Sequence, residues 1–290
     1  MSPTPFTIAV TGSTGALGRY VARDLAARGI GHRLLVRTPS KAPNLPETTV
    51  HPFSYSDQAA AKTALEGVDT LFMVSASESA DRLDQHRSFI DAAAAAGVRH
   101  IVYTSFIAAA PDATFTLARD HHSTEEYLKA SGITWTFLRD SFYIDFMEAL
   151  VGDDGVIRGP AGEGRCAIVA REDVARAAAA VLVDPDPHAG RTYDITGPEA
   201  LNLQEVAQTI SRVRDRQVTF HNETIDKAYA SRSSYGAPDW QLDAWVSTYT
   251  AIGSNVMAPV STAIESITGR APISLEEFLI THPAASGSAR

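Results

Sequence analysis

Short apolar runs alternate with alanine-rich runs over the first two-thirds of the chain. Phe6–Thr11, Arg33–Val36, Val50–Phe53, Thr70–Val74, Ile101–Thr104 and Thr134–Leu138 read as strands. Between them, Ala16–Arg28, Asp57–Glu66, Leu83–Ala96 and Thr124–Ala130 read as helices, with Gly29, Gly67, Gly97 and Gly132 at or near their ends. Asp57 is placed to cap its helix and a glycine suits the residue after a last turn. Strands separated by single helices predict βαβ units and a parallel sheet buried on both faces. The small residues of Asp91–Ala96 fit a helix lying close to that sheet. The expected fold class is therefore α/β: a Rossmann-like doubly wound parallel sheet.

After Arg139 the pattern loosens. Gly152–Gly164 is glycine-rich, with a turn at Arg158-Gly159-Pro160. Arg171–Leu182 again reads as a helix and Thr192–Ile195 as a strand. Leu203–Val213 follows as a helix with Asn202 as its cap, then Val218–Phe220 as a short strand. Asp239–Ala251 and Ser274–Ile280 look helical, and Trp245 and Tyr249 share one face of the former. These segments predict a dinucleotide-type domain over 1–140, to which 166–196 return. Residues 141–165 and 197–290 form a second, smaller α/β C-terminal domain. His282–Arg290, rich in alanine, serine and glycine, is expected to fray.

Composition narrows the classes. The 290 residues carry 25 Lys plus Arg against 34 Asp plus Glu, a net charge of −9. That balance argues against nucleic-acid binding, which needs a surplus of cations to displace counterions. A single cysteine, Cys166, excludes an internal disulfide and suits a reducing, cytoplasmic setting. The nine histidines make no metal-ligand spacing with cysteine or carboxylates, so no metal is expected. No apolar run approaches the ~18 residues of a membrane span.

The stretch Thr11-Gly12-Ser13-Thr14-Gly15-Ala16-Leu17-Gly18 follows the first strand and opens the first helix. Gly12 permits the tight turn. Gly15 lets backbone approach a pyrophosphate, and Gly18 lets helix and strand pack closely. Free N–H groups of the first helical turn then face the anion. The residue after the second strand selects the dinucleotide. An acid there would take a ribose hydroxyl, whereas Arg37, with Lys41 nearby, suits a 2′-phosphate. The expected cofactor is NADP(H). By position, Ser75, Ala76 and Ser77 after the fourth strand join its pocket, as do Thr104 and Ser105 after the fifth. Phe142 and Tyr143 after the sixth are candidate walls for the nicotinamide or substrate.

These residues carry a family likeness. Thr11–Gly18 resembles the fingerprint of extended and atypical short-chain dehydrogenases. Gln85-His86-Arg87, Ala95-Ala96-Gly97-Val98, Tyr103-Thr104-Ser105, His121–Glu125 and Ser131–Arg139 resemble the NmrA-like family, in its quinone-reducing bacterial branch. The resemblance implies NADP(H) on the Rossmann-like domain, a small-molecule quinone or similar carbonyl acceptor in a cleft against the smaller domain, and a homodimer. Short-chain dehydrogenases protonate a carbonyl with a tyrosine four residues before a lysine, helped by a serine. Ser105 matches the serine. The dyad positions fall on His122 and Glu126, and Tyr127 and Lys129 are two apart, on different helix faces. A quinone, a strong hydride acceptor, tolerates that loss better than a ketone. His121 or His122 is then a candidate proton source near neutral pH. Two readings stay open: an NADPH-dependent reductase of electron-poor acceptors, and a non-catalytic NADP(H)-binding sensor acting through a protein partner. A reductase of some other small metabolite is a third.

Overall fold

The structure, a computed structural model, describes residues 7–283. Phe6 and residues 284–290 of the expected tail lie outside that range. The first half runs β1 (Ile8–Thr11), α1 (Ala16–Ala27), β2 (His32–Val36), β3 (Thr48–Pro52), α2 (Gln58–Leu65), β4 (Thr70–Met73), α3 (Arg82–Ala96), β5 (His100–Phe106), α4 (Thr116–Ala130) and β6 (Thr134–Asp140). The second half runs β7 (Val156–Gly159), α5 (Arg171–Val183), β8 (Arg191–Ile195), α6 (Leu203–Arg214), β9 (Thr219–Asn222), α7 (Ile225–Ser233), α8 (Asp239–Gly253), α9 (Ala263–Thr268) and α10 (Leu275–Thr281).

Seven strands form one parallel sheet in the order β3-β2-β1-β4-β5-β6-β8. Alternate side chains go to opposite faces. Val10, Leu34, Phe72, Val102 and Leu138 meet α1 and α5 on one face. Ala9, Leu35, Leu71, Ile101 and Phe137 face residues of α2, α3 and α4 on the other. Burial on both faces explains the near-continuous apolar strands. Asp57 Oδ1 accepts from Ala60 N at 3.0 Å, and Gly97 closes α3 with φ +82°. Strand order reverses between β1 and β4, so a crevice opens at their carboxyl ends.

Three features differ from the sequence pattern. First, α4 begins at Thr116 rather than Thr124. Its inward positions include His121, Thr124 and Glu125, so its buried stripe is largely polar and leaves no apolar period to read. Second, Arg158-Gly159 is not a turn. It lies in β7, which pairs in parallel with β9 some sixty residues on. A Cβ at Gly159 would lie 2.1 Å from the Tyr249 ring, so the glycine there serves close packing against α8. Third, α9 leaves the C-terminal layer, and Ile264 enters the core under α5. The remaining C-terminal elements share a core with β5 and α4, in which Ile157, Val206, Ile210, Tyr249, Ile252 and Leu279 cluster with Phe106 and Ala118.

Candidate active site

The loop after β1 turns tightly, with Gly12 at φ +64° and Gly15 N donating to Gly12 O at 2.8 Å. The loop borders a cleft of about 500 Å³. Gly12, Thr14, Gly15, Ala16, Leu17 and Gly18 form one wall and Ser75, Ala76 and Ser77 another, with Arg37 at the end of β2. Sequence reasoning missed Tyr55 and its neighbours in the loop after β3, which also line it. No local motif marks them; only the β2–β3 pairing brings them there.

Several expected residues lie behind this cleft rather than in its walls. Thr11 Oγ1 donates to Phe72 O and accepts from Val74 N and Tyr55 OH, so it ties β1 to β4. Thr104 Oγ1 accepts from Ser75 N at 2.9 Å. Lys41 is exposed and outside the cleft lining. Phe142 packs against Phe106 and Phe115, with ring centroids 5.1 and 5.4 Å away. Tyr143 OH donates to Asp140 Oδ2 at 2.7 Å, and burial pushes the Asp140 carboxyl up to about 8. Ser105 is buried, and its hydroxyl donates to Glu125 Oε1 at 2.6 Å. Arg139 holds both oxygens of that carboxylate, at 2.8 and 2.6 Å. The proton of Ser105 is thus committed to a fixed anion.

Two buried histidines brace the cleft wall from behind. Ala76 N donates to His86 Nε2 at 2.8 Å, which leaves Nδ1–H to donate to Thr124 Oγ1 at 2.8 Å. Arg82 Nε donates to Ala76 O, and its Nη2 donates to His121 Nε2 at 3.0 Å. His121 Nδ1 then faces Tyr103 OH at 2.9 Å. Both imidazoles are neutral, and both nitrogens of each are occupied. His121 therefore does not fit the role of proton source that its position suggested. His122 is half-buried on the same helix.

Burial, then the Arg82 charge, pulls His86 down to about 3 and His121 well below its usual range. A depressed base adds stability that is fully present above its unfolded value near 6.5 and is lost as pH falls toward the folded value. Each such histidine steepens acid destabilisation by up to ~1.4 kcal/mol per pH unit. Urea unfolding between about pH 6 and pH 4 should therefore show a slope shallower by about that amount in His86→Gln. Parallel slopes in the two proteins would mean that His86 titrates normally in the fold.

The donors present suit a dinucleotide diphosphate. Ser13 is wholly buried in the loop and its Oγ has no partner. Gly15 is exposed where a ligand would approach, and Arg37 is exposed at the cleft and makes no ion pair among the described residues.

Residues 12–185 match the family described as NAD(P)H-binding. Quinone oxidoreductase 2 of Escherichia coli (strain K12) is 38% identical over 243 residues, spanning 81% of this chain and 84% of that protein. NAD(P)H azoreductase of Xenophilus azovorans is 30% identical over 287 residues, spanning 97% of this chain and 100% of that protein. The crystal structure of the Escherichia coli NADPH-dependent quinone oxidoreductase complexed with NADPH matches with a TM-score of 0.85 at 34% identity. It covers 93% of this chain and 98% of its own. This protein binds NADP(H) and is an NAD(P)H-dependent oxidoreductase. It belongs to the NAD(P)H-binding family.

Proposed function

We propose that this oxidoreductase prefers NADPH to NADH and passes its hydride to a quinone or a comparably electron-poor acceptor. The bound nicotinamide supplies the hydride. The observation that carries the acceptor class is the commitment of Ser105 to Glu125 and of both His121 nitrogens to their neighbours. With these groups held, a ketone would lack a ready proton donor in the transition state. A quinone that accepts the hydride becomes an aromatic hydroquinone monoanion, which takes one proton from water afterwards, so positioning supplies most of the catalysis. The relatives named as quinone oxidoreductase and azoreductase support this acceptor class.

The chain's residues position and select. The loop N–H groups and Ser13 receive the diphosphate, and Arg37 pairs with the 2′-phosphate. The His86–Arg82 brace holds the wall at Ala76 in place. A hydrogen bond to a charged group is worth ~1.5–3 kcal/mol, or about 10- to 100-fold in affinity. Arg37→Ala should weaken NADPH by that factor and leave NADH within about twofold. Equal NADPH affinity in variant and wild type, read by fluorescence titration, would remove Arg37 from the site.

The function itself is tested by following NADPH absorbance on addition of benzoquinone, menadione and an azo dye. Oxidation with at least one acceptor is expected. Tight NADPH binding without oxidation across the panel would instead favour the sensor reading.

A further inference from the structure

A second cleft, of about 450 Å³, shares Thr14, Gly15 and Ala16 with the cofactor cleft but none of the residues around Arg37. Its walls are Arg19, Tyr20 and Arg23 of α1, Asp145 beyond β6, and Arg171 at the start of α5. Ala16, Arg19, Tyr20 and Arg23 are spaced i, i+3, i+4 and i+7, one face of the helix. The cleft thus lies between the phosphate loop and the segment leaving the carboxyl end of β6.

Its charge is unusual for a chain of net −9. Three guanidiniums face one carboxylate. Arg171 is fixed: it lies over the Phe146 ring at 4.1 Å and the Tyr143 ring at 4.8 Å, 3.7 Å from Asp145. Arg19 donates to Thr14 O at 3.2 Å and has no acidic partner among the described residues. Arg23 likewise makes no ion pair there, since its neighbour Asp24 is taken by Arg28 at 2.8 Å. A stacked, planar guanidinium loses little freedom when it receives an oxyanion, and two unneutralised arginines stand beside it.

We propose that this cleft receives an anionic substituent of the electron acceptor, a phosphate, sulfonate or carboxylate, and that Arg19, Arg23 and Arg171 set a preference for anionic over neutral acceptors. The proposal rests on the reductase reading above. The acceptor ring would sit over the carboxyl edge of the sheet, with its charged arm extending past Tyr143 to the arginines. Tyr20 OH, on the same helix face, adds a neutral donor.

The test compares menadione, which is neutral, with a naphthoquinone sulfonate. Arg19 and Arg23 are exposed, so the Arg19→Ala/Arg23→Ala variant leaves the core untouched. Wild type should favour the sulfonate. The double variant should lose about fivefold or more in kcat/KM for the sulfonate, through KM, with menadione turnover and NADPH affinity within about twofold. Lys62→Ala, at an exposed position of α2 outside this cleft, controls for the general field and should leave the acceptor ratio unchanged. An unchanged ratio in the double variant overturns the proposal. So does a matching loss of NADPH affinity, which would assign the arginines to the cofactor's own phosphates. If wild type oxidises NADPH with neither quinone, the reductase reading fails instead. Calorimetric binding of the sulfonate to the NADP+ complex of wild type and variant then decides the anion site by itself: weaker binding to the variant supports it and equal binding overturns it.

Discussion

Gly18→Ala is expected to destabilise the fold severely, whereas Gly15→Ala should leave folding nearly intact and remove tight cofactor binding. A Cβ at position 18 would stand 2.4 Å from the carbonyl carbon and oxygen of Gly12 and 2.5 Å from Thr11 O. These are backbone atoms at the end of β1, so no rotamer change relieves the clash. α1 must lift from the sheet, and the apolar layer of Leu17, Val21 and Leu25 lifts with it. Overpacking of a side chain costs ~1–3 kcal/mol, and a backbone clash belongs at or beyond the top of that range. At ~2–4 °C per kcal/mol for a domain of this size, melting should fall by roughly 10 °C or more. At position 15 the nearest atom to a new Cβ is Gly12 O at 3.3 Å, a contact that a small shift relieves. Gly15 is exposed on the loop, so its methyl would occupy the space where a diphosphate approaches. Thermal melts and NADPH titration of the two variants separate the roles. Equal melting temperatures for Gly18→Ala and wild type would refute the packing argument; unaltered NADPH affinity in Gly15→Ala would refute the approach argument.

Glu125→Leu should be nearly as damaging, for an electrostatic reason. Glu125 is wholly buried and accepts three hydrogen bonds, from Ser105 Oγ and from Nε and Nη2 of Arg139. Removing one partner of a buried ion pair costs ~3–5 kcal/mol, because the other charge is left uncompensated. Arg139 is 24% exposed, which moves the expectation to the lower end, about 3 kcal/mol. Removing both charges, in Glu125→Leu/Arg139→Leu, should recover part of that loss, since two apolar groups leave nothing unpaired. Denaturant titrations of the two single variants and the double variant give the coupling directly. A loss below about 1 kcal/mol in Glu125→Leu, or strict additivity in the double variant, would show that the pair contributes little.

The same residues explain how far the site could be read beforehand. Gly12, Gly15, Gly18 and Arg37 were legible because the demands on them are local. A strand-to-helix turn, a close backbone approach and a cation after β2 are each settled within a few residues of chain. The expected role of Ser105 was not so simple. The sequence put it just after the fifth strand, whereas it lies within β5 near its carboxyl end, and the carboxylate that holds its proton comes from α4, a helix whose first two turns carry no apolar signature. His121 looked available for proton transfer for the same reason. Its neutrality follows from burial and then from the charge of Arg82 of α3, while Tyr103 of β5 occupies its other nitrogen, and all three arise only in the folded chain.

The doubly wound parallel sheet, the tight glycine loop after β1 and the cation that follows β2 were all readable from the order of residues. Fully buried parallel strands must be continuous apolar runs, and glycine is required where backbone meets backbone or ligand. Tertiary structure alone decided the parallel pairing of β7 with β9, the placement of Tyr55, the braced histidines and the arginine cleft. Each joins groups distant in the chain, such as Arg23 with Asp145 and Arg171. Such meetings depend on which helix faces pack together, and no periodicity within a single segment records that.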